Sequence, residues 1–414
     1  MRQVSMQIGA ERRPGTATFS SIDPYTGEPW AVLPEATRAD VDDAVAAARA
    51  AFEGEWGALT GTARGRLLRR LGELIAESAD DLAIAETRDN GKLLREMGGQ
   101  VRGLPAWYDY YAGLADKIDG RVVDTGRGDF FGYVSREPVG VVAHPGVDHV
   151  SFTGSEATGA AVAKAAAGHL APATLELGGK SANIVFPDAD LAAAANGLVA
   201  GIFAAAGQTC IAGSRGLVHE DVYDEILERV ADRAARIVMG DPQQPETEMG
   251  PICFPGQLQK IQKFVAEARD AGARIVTGGD DRDMGGLFFA PTIIADVTND
   301  APVCQEEIFG PVLSMLRFKD EEEAVALAND SRYGLAAGLW TRDIQRAFRM
   351  TKKLRVGTVW VNAYRTLNFA MPFGGVKASG FGRENGSEGL HEYLRDKAVW
   401  IEMTGGTRDP FVLG

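Results

Sequence analysis

Hydrophobic residues recur at helical spacing in the first part of the chain. Residues 37–52 carry an apolar face, and Thr37 with Asp40 forms a capping-box-like start for that helix. A second helix is predicted over residues 62–85. Its inward face is expected to carry Leu67, Leu68, Leu71, Leu74 and Ile75.

Short apolar runs after residue 120 predict strands instead. Residues 122–123 and 130–135 are predicted to form two strands around a turn-rich stretch, and residues 139–143 form a short buried strand. Near the end of the chain, residues 398–403 have the pattern of a strand without an obvious local partner.

From residue 155 onward, helical and strand-like segments alternate, which is typical of layered α/β proteins. Asp190 is positioned to cap a helix that ends near Ala206 and is apolar on nearly all sides, so this helix should be buried. Further helices are predicted over residues 155–167, 223–237, 256–271, 321–329 and 343–354, and strands over residues 174–177, 183–186, 274–277, 312–318, 336–340 and 358–361.

Composition and charge narrow the functional classes. With 414 residues, of which 45% are hydrophobic, the chain is long enough for more than one folded core. A net charge of −14 disfavours nucleic acid or an anionic membrane surface as a partner, and no apolar run is long enough to span a bilayer. Three separated cysteines, Cys210, Cys253 and Cys304, argue against a disulfide framework and favour a reducing, cytoplasmic location.

Two segments contain candidate catalytic groups. Residues 207–215 read Gly-Gln-Thr-Cys-Ile-Ala-Gly-Ser-Arg, which places Cys210 among small residues where a carbonyl can approach the sulfur. Taken alone, an inert buried cysteine is the more common outcome. Residues 175–180 read Leu-Glu-Leu-Gly-Gly-Lys, and the apolar flanks should raise the pKa of Glu176 and suit it to act as a base. A carboxylate that only accepts local backbone hydrogen bonds is equally compatible with this pattern.

Two further segments are candidate ligand contacts. Residues 152–159 run from a strand into a helix and can bind pyrophosphate, although Ser155 can equally be an ordinary N-cap. Residues 305–311 read Gln-Glu-Glu-Ile-Phe-Gly-Pro, which offers either a ribose-binding carboxylate beside an aromatic ring or a plain charged turn. His144 and His149 have no third ligand nearby, so no metal site is expected.

Together these segments resemble the NAD(P)-dependent aldehyde dehydrogenase superfamily. The resemblance covers about residues 23–403 and is most specific in Leu-Glu-Leu-Gly-Gly-Lys and Gly-Gln-Thr-Cys, where 34 positions separate Glu176 from Cys210. Segments that match in the family's order follow: Glu-Glu-Ile-Phe-Gly-Pro at 306–311, Trp-Val-Asn at 360–362, Pro-Phe-Gly-Gly at 372–375 and Ser-Gly-Phe-Gly-Arg at 379–383.

The resemblance implies an oxidoreductase that converts a small aldehyde or semialdehyde to a carboxylic acid with NAD, NADP remaining open. Cys210 would attack as thiolate, the thiohemiacetal would give a hydride to the nicotinamide, and Glu176 would activate the water that hydrolyses the thioester. The implied cofactor contacts are Gly154, Ser155, Leu177, Gly178, Glu307 and Phe309. The implied substrate pocket contains Thr209, Ile211, Phe373 and Arg365, whose guanidinium either attracts a substrate carboxylate or stays solvated.

The family pattern breaks after Val142. The family continues there into a Pro-Trp-Asn-Phe-Pro-like loop and two strand–helix passes, one with a Lys-Pro-Ser-Glu-like segment, so roughly 60–70 residues are absent. The family's oxyanion asparagine and its adenosine-ribose contacts then have no counterpart, which leaves only the N–H of Cys210 to stabilise the alkoxide. Cofactor affinity should fall, and apolar faces should be exposed.

The implied fold is α/β and aldehyde-dehydrogenase-like, in three parts. These are a truncated Rossmann-type cofactor domain (1–119 and 137–177), an α/β catalytic domain (178–395) and a small β oligomerisation flap (120–136 and 396–414). In the family the flap pairs with a neighbouring subunit, so a homodimer or homotetramer is expected. Because of the break, two alternatives stay open: a catalytically silent oligomer-forming subunit, and a cofactor-independent esterase that uses Cys210 and Glu176.

Overall fold

The N-terminal part of the chain combines short strands with helices. The computed structural model describes residues 1–142, 147–406 and 411. The first elements are β1 (Arg2–Gln3), β2 (Met6–Ile8), β3 (Glu11–Arg13), β4 (Ala17–Ile22), β5 (Pro29–Glu35), α1 (Arg38–Glu53), α2 (Glu55–Ala58), α3 (Gly61–Glu77), α4 (Ala79–Asn90) and α5 (Leu94–Leu114). Helix α1 begins with the predicted capping box, because the Thr37 hydroxyl accepts the Asp40 N–H and the Asp40 carboxylate accepts the Thr37 N–H.

The single helix predicted over residues 62–85 is wrong in two respects. The chain breaks at Ser78 into α3 and α4. Helix α3 also packs against α5 through its glycines, since a Cβ added at Gly65 would lie 2.6 Å from the Ala112 carbonyl oxygen. Small residues therefore form the close helix contact, and three leucines predicted to face inward remain 44–50% exposed. These are Leu67, Leu71 and Leu74.

The middle of the chain forms two small sheets. Its elements are β6 (Arg121–Val123), β7 (Phe130–Pro138), β8 (Val150–Thr153), α6 (Glu156–Ala167) and β9 (Ala173–Glu176). The strands predicted at 122–123 and 130–135 are confirmed as β6 and β7, which pair antiparallel. Helix α6 follows β8 and returns the chain to β9, which runs parallel to β8.

The strand predicted over residues 139–143 is not formed in the described part of the chain. Val142 makes a single parallel bridge to His149. The Val141 N–H instead donates to the Asp148 carboxylate at 2.9 Å, and its carbonyl accepts the Asp148 N–H at 2.7 Å. The backbone groups of Val141 that a neighbouring strand would engage are thus bound by Asp148. Residues 143–146, including His144, lie outside the described residues.

The second half is built around a seven-stranded sheet of order β12-β15-β16-β11-β10-β17-β18. Its elements are β10 (Ala182–Val185), α7 (Leu191–Phe203), β11 (Arg215–His219), α8 (Tyr223–Ala235), α9 (Pro255–Asp270), β12 (Arg274–Thr277), β13 (Asp281–Arg282), β14 (Phe288–Phe289), β15 (Thr292–Ala295), α10 (Pro302–Gln305), β16 (Val312–Phe318), α11 (Glu321–Asn329), β17 (Ala336–Trp340), α12 (Ile344–Lys353), β18 (Thr358–Val361), β19 (Gly380–Phe381), α13 (Gly386–His391) and β20 (Leu394–Glu402). The central strands are buried on both faces, as parallel strands covered by helices should be.

The strand predicted at 398–403 belongs to a longer strand, β20, whose partner is distant in sequence. It pairs antiparallel with β7 over nine residues, from Leu394 opposite Pro138 to Glu402 opposite Phe130. A three-stranded sheet of order β20-β7-β6 results. In the described part of the chain, no helix is both long and apolar enough to cross a membrane.

Candidate active site

The loop that carries Cys210 is shaped by an abrupt end to helix α7. Asp190 caps the start of this helix as predicted, but the helix ends at Phe203 and continues as a 3-10 turn to Gly207. Ala205 and Ala206 both have a φ of 53°, a left-handed conformation that costs energy for non-glycine residues. At Gly207, an added Cβ would lie 2.1 Å from the Gly310 carbonyl oxygen, so this position requires glycine.

Cys210 lies beside an apolar cluster at the end of this loop. The cluster consists of Ile211, Leu335, Ala336 and Trp360, and Phe373 packs against it together with Cys210. The Tyr364 hydroxyl donates to the Ile211 carbonyl at 3.0 Å, which fixes the main chain next to the cysteine. The Thr209 hydroxyl is buried without a hydrogen-bond partner in the described chain. Four residues predicted for the site, Thr209, Cys210, Ile211 and Phe373, are therefore brought together.

Glu176 occupies the end of β9 in a small sheet of order β19-β9-β8, where Gly380 pairs opposite it. Its side chain is only 4% exposed, and neither carboxylate oxygen has a hydrogen-bond partner among the described residues. Burial raises the pKa of Glu176 to about 8, the negative charge of Glu384 adds to this shift, and Arg383 opposes it. A buried carboxylate without partners is costly, which is typical of a functional group rather than a structural one.

The thiol and the carboxylate lie near one another rather than on opposite sides of the molecule, since the charge of Glu176 acts on the Cys210 thiol. The chain that follows Glu176 passes directly over the cysteine, because a Cβ at Gly179 would lie 2.6 Å from the Cys210 carbonyl oxygen. Burial raises the pKa of the Cys210 thiol to about 11, and the charges of Glu307 and Glu176 contribute to the rise. The cysteine is therefore protonated near neutral pH in the protein alone.

Glu307, in the loop after α10, is a third group near Cys210, since its charge also acts on the thiol. Its carboxylate accepts the Gly179 N–H at 3.0 Å, and a Cβ at Gly178 would lie 2.5 Å from the Glu307 Oε2. Glycine at position 178 is thus needed for the approach of this carboxylate. Burial raises the pKa of Glu307, and the Gly179 N–H and two lysine charges oppose the rise. Phe309 follows in a left-handed conformation with a φ of 59°.

The N-terminus of α6 adjoins the strand that carries Glu176. The Gly154 N–H donates to the Glu176 carbonyl at 3.0 Å. The Ser155 hydroxyl accepts the Thr158 N–H at 3.2 Å, so this serine is an N-cap as the simpler interpretation held. Leu177 fills the space over the helix, since a Cβ at Gly159 would lie 2.4 Å from its Cδ2.

Comparison with known proteins supports the assignment suggested by this geometry. The aldehyde dehydrogenase family model matches residues 12–144 and 142–399. The chain belongs to the aldehyde dehydrogenase family. It is 38% identical to the (Z)-2-((N-methylformamido)methylene)-5-hydroxybutyrolactone dehydrogenase of Acinetobacter baylyi, with 100% of both chains covered. It is also 38% identical to an aldehyde dehydrogenase of Aspergillus niger, over 93% of this chain and 92% of that one.

Solved aldehyde dehydrogenases share the fold along nearly the whole chain. A betaine aldehyde dehydrogenase from Staphylococcus aureus in complex with NAD⁺ superposes with a TM-score of 0.97 at 34% identity, covering 99% of this chain and 98% of that one. A structure from Burkholderia cenocepacia gives a TM-score of 0.95 at 35% identity, with 99% and 100% coverage.

This aldehyde dehydrogenase lacks a segment at the predicted position. The two family matches meet at residues 142–144, where the sequence pattern breaks. The alignment with the Acinetobacter relative spans 487 positions, whereas the chain has 414 residues, so at least 73 positions have no counterpart here. In the described residues, β8 accordingly has a partner strand on one side only.

Arg365 makes main-chain contacts that neither predicted alternative included. It is half-buried, and its Nη1 donates to the Ala204 carbonyl at 3.0 Å and to the Ala200 carbonyl at 3.3 Å. The guanidinium thus binds the last carbonyls of α7, next to the turn that leads to Cys210. Burial lowers the pKa of Arg365, while the charge of Glu96 opposes this.

Two charged residues near the site, one fully buried and one half-buried, were given no role by sequence reasoning. Lys180 is 2% exposed, its Nζ has no hydrogen-bond partner in the described chain, and burial lowers its pKa to about 8. Glu384 follows the Ser-Gly-Phe-Gly-Arg segment, and burial raises its pKa. The sequence did offer a reason to consider Lys180 and Glu384, because each stands inside or beside a family-specific segment. Among the described residues, no group of three or more His, Cys, Asp or Glu side chains could hold a metal ion.

Proposed function

We propose that this aldehyde dehydrogenase oxidises an aldehyde to a carboxylic acid with NAD⁺, with Cys210 as nucleophile and Glu176 as base. One observation carries the proposal: a buried carboxylate without hydrogen-bond partners among the described residues, that of Glu176, is close enough for its charge to act on the Cys210 thiol. The chain three residues after Glu176, at Gly179, also contacts the Cys210 carbonyl. NAD⁺ is favoured as cofactor because the Staphylococcus aureus relative was solved in complex with it.

Covalent capture by Cys210 is the first step of the proposed mechanism. The thiol loses its proton to solvent, and the thiolate attacks the aldehyde carbonyl to form a thiohemiacetal. The Cys210 N–H, which lies next to the sulfur, can stabilise the resulting oxyanion. When bound, the cofactor accepts a hydride from the thiohemiacetal, which leaves a thioester on Cys210.

Glu176 acts in the second step. Ionised, it takes a proton from the water that attacks the thioester, and the acid product leaves as the Cys210 thiol is restored. With a pKa of about 8, Glu176 is partly ionised near neutral pH and is basic enough to accept that proton. Because neither oxygen has a hydrogen-bond partner among the described residues, both keep the capacity to accept a proton.

The residues present fit the nicotinamide half of the cofactor better than the adenosine half. Glu307 and Phe309 are proposed to hold the ribose and ring, Leu177 and Gly178 to line the same side, and the α6 N-terminus with Gly154 and Ser155 to receive the pyrophosphate. The requirement for glycine at position 178, which lets the Glu307 carboxylate approach the chain, supports a binding role for that carboxylate. The absent segment removes the family's contacts to the adenosine ribose.

The substrate is proposed to approach Cys210 along Thr209, Ile211 and Phe373, with Arg365 at the side. Apolar walls favour the carbon chain of a small aldehyde. Because the Arg365 Nη1 is already bound to the end of α7, a substrate carboxylate would have to bind another edge of the guanidinium.

The test of the proposed function is aldehyde-dependent reduction of NAD⁺. Purified protein is incubated with NAD⁺ and a series of aliphatic, aromatic and carboxylate-bearing aldehydes, and formation of NADH is followed by absorbance. We expect turnover slower than in an intact relative by about 10²–10³-fold, since one oxyanion donor is missing. Parallel reactions without aldehyde are the control. A protein that binds NADH but forms none from NAD⁺ with any of the aldehydes contradicts the proposal.

A second candidate function is hydrolysis of esters without cofactor. It is favoured by one observation: Cys210 and Glu176 stand on elements that the family model matches without interruption, whereas the cofactor-binding region is interrupted. Hydrolysis of an activated ester in the absence of NAD⁺ would support it.

We also propose a division of the chain into a cofactor domain (residues 1–119 and 137–177), a catalytic domain (residues 178–395) and a flap (residues 120–136 and 396–414). We propose that the chain forms a homodimer or homotetramer through this flap. Strand β20 at one edge of the flap sheet and strand β18 at one edge of the seven-stranded sheet each pair with one strand only among the described residues. Open edges of this kind pair readily with another chain. The flap also exposes Val122, Phe131, Trp400 and Ile401.

Introducing a charge at Trp400 should weaken this assembly. Trp400 is 60% exposed on β20, and Trp400→Asp places a carboxylate in an apolar contact where its desolvation would cost several kcal/mol. We expect a lower molar mass by light scattering coupled to size exclusion. Phe348→Asp, at a site 66% exposed on α12, is the matched control and should leave the mass unchanged. Equal masses for all three proteins would count against the flap as the interface.

A further inference from the structure

An arginine outside the family-specific segments connects the two sides of the proposed cofactor cleft. Arg332 Nη2 donates to the carboxylate of Glu156, the first residue of α6. The same nitrogen lies 3.6 Å from the Glu306 carboxylate, and Glu306 directly precedes Glu307. The guanidinium also lies over the ring of Tyr333, 5.2 Å from its centroid. Arg332 is therefore held between the helix N-terminus and the carboxylate loop.

The surroundings of Arg332 are rich in negative charge. Glu156 and Glu306 are within ion-pair distance of the guanidinium, and the charge of Glu156 also acts on Glu307. A diphosphate that approaches the N-terminus of α6 would be repelled by these carboxylates. Lys260 acts on Glu307 from α9, and Lys180 is fully buried, so Arg332 is the half-exposed cation in contact with the helix end.

We propose that Arg332 is a cofactor-binding residue whose guanidinium exchanges the carboxylate of Glu156 for a phosphate oxygen of the nicotinamide nucleotide. Guanidinium groups bind phosphate through paired hydrogen bonds, and the first turn of α6 has N–H groups without intrahelical acceptors, apart from the Thr158 N–H that Ser155 accepts. Glu156 is then a competitor that binds Arg332 when no phosphate does. The inference rests on the proposed function, because it assumes a nicotinamide nucleotide in this cleft.

Because the family's adenosine contacts are absent, a contact from Arg332 would contribute a larger fraction of the cofactor-binding energy. A dinucleotide normally bridges two mononucleotide-binding halves of a doubly wound sheet. Here β8, α6 and β9 form the strand–helix–strand unit of the cofactor region among the described residues, so the phosphate end of α6 must supply a larger share of the binding energy. A charge-assisted contact from Arg332 is suited to that share.

A purely structural role for the Arg332–Glu156 ion pair predicts a different outcome from phosphate binding by Arg332. If the Arg332–Glu156 pair only holds the helix against the carboxylate loop, removing either partner loosens the cleft and weakens cofactor binding. If Arg332 binds phosphate, loss of Arg332 weakens binding and loss of Glu156 strengthens it. The sign of the effect at Glu156 separates the two roles.

The test is isothermal titration of the full-length protein with NADH, and with nicotinamide mononucleotide as a single-phosphate probe. We expect about tenfold weaker NADH binding for Arg332→Gln, an intermediate effect for Arg332→Lys, and several-fold tighter binding for Glu156→Gln. Raising the salt concentration should weaken wild-type binding more steeply than binding to Arg332→Gln. Arg317→Gln is the matched control, because Arg317 also pairs with a carboxylate, Asp224, and stacks on a tyrosine, at the far end of β16.

The outcomes separate this inference from the proposed function. Wild-type binding together with weaker binding in both Arg332→Gln and Glu156→Gln, or with no change in either, overturns the role of Arg332 and leaves the proposed function standing. Failure of the wild-type protein to bind either nucleotide overturns both. Thermal unfolding of each variant shows whether a weaker affinity reflects partial unfolding, and Arg332→Lys keeps the charge should the glutamine variant unfold.

Discussion

Replacing Cys210 with alanine is expected to abolish both aldehyde-dependent NADH formation and any hydrolysis of esters. The expected loss is at least on the order of 10⁴-fold, because both reactions pass through a covalent bond to this sulfur. Burial raises the pKa of the thiol to about 11, so the side chain is a neutral group in the resting protein. Exchange for alanine should therefore leave the fold intact and cost mainly the small apolar volume of the sulfur.

The other two cysteines provide matched controls for this experiment. Cys304 is fully buried beside the seven-stranded sheet, and Cys253 is half-buried with its Sγ 3.9 Å from the Asp89 carbonyl. Cys253→Ala and Cys304→Ala should keep NADH formation within a few-fold of wild type when their thermal unfolding is normal. Retained turnover in Cys210→Ala, or its loss in Cys253→Ala alone, would show that the nucleophile has been assigned to the wrong residue.

Sequence reasoning selected Cys210 and Glu176 as the candidate pair and predicted that desolvation raises the pKa of Glu176, which is confirmed, but it did not predict the pKa of the thiol. Cys210 and Glu176 stand in short segments whose spacing is specific, so their identity could be read from the chain. The pKa of about 11 for the thiol depends on burial and on the charges of Glu307 and Glu176. Cys210 and these two glutamates stand in three separate segments of the chain. Only packing brings these groups close, and local sequence does not encode that proximity.

The fold was predictable where local signals agree with packing. The capping box at Thr37 and the N-cap at Asp190 are local hydrogen-bonding signals, and both helix starts were predicted correctly. The buried face of helix α3 was not predicted correctly, because helical spacing alone placed its leucines inward. Contact through Gly65 requires knowledge of the neighbouring helix α5, which the pattern of α3 does not contain.

The failed strand at residues 139–143 has a different origin. Its composition is that of a buried parallel strand, and such a strand needs partners on its edges. The family match is interrupted at this point, and the Val141 backbone instead bonds to Asp148. A local pattern inherited from an intact fold thus overstates the structure that remains once neighbouring strands are absent.

Glu176→Gln should stop steady-state turnover while leaving one round of chemistry per subunit. Attack by Cys210 and hydride transfer do not need this carboxylate, so rapid mixing should show a burst of about one NADH per active site. The following steady-state rate should fall by about 10²–10⁴-fold, because the thioester no longer has a base to activate water. Glu322→Gln, on the exposed first turn of α11, is a control that should retain full turnover.

The pH dependence gives the same assignment an independent check. A base must be ionised to act, so wild-type turnover should rise with pH through the pKa of Glu176, which is about 8, and then level off where deacylation limits the rate. The negative charge of Glu384 contributes to that raised pKa, so Glu384→Gln should move the rise toward lower pH. Glu176→Gln should lose the rise altogether. A variant that keeps both the rise and the steady-state rate would mean that another group activates the water, and the proposed second step would have to be abandoned.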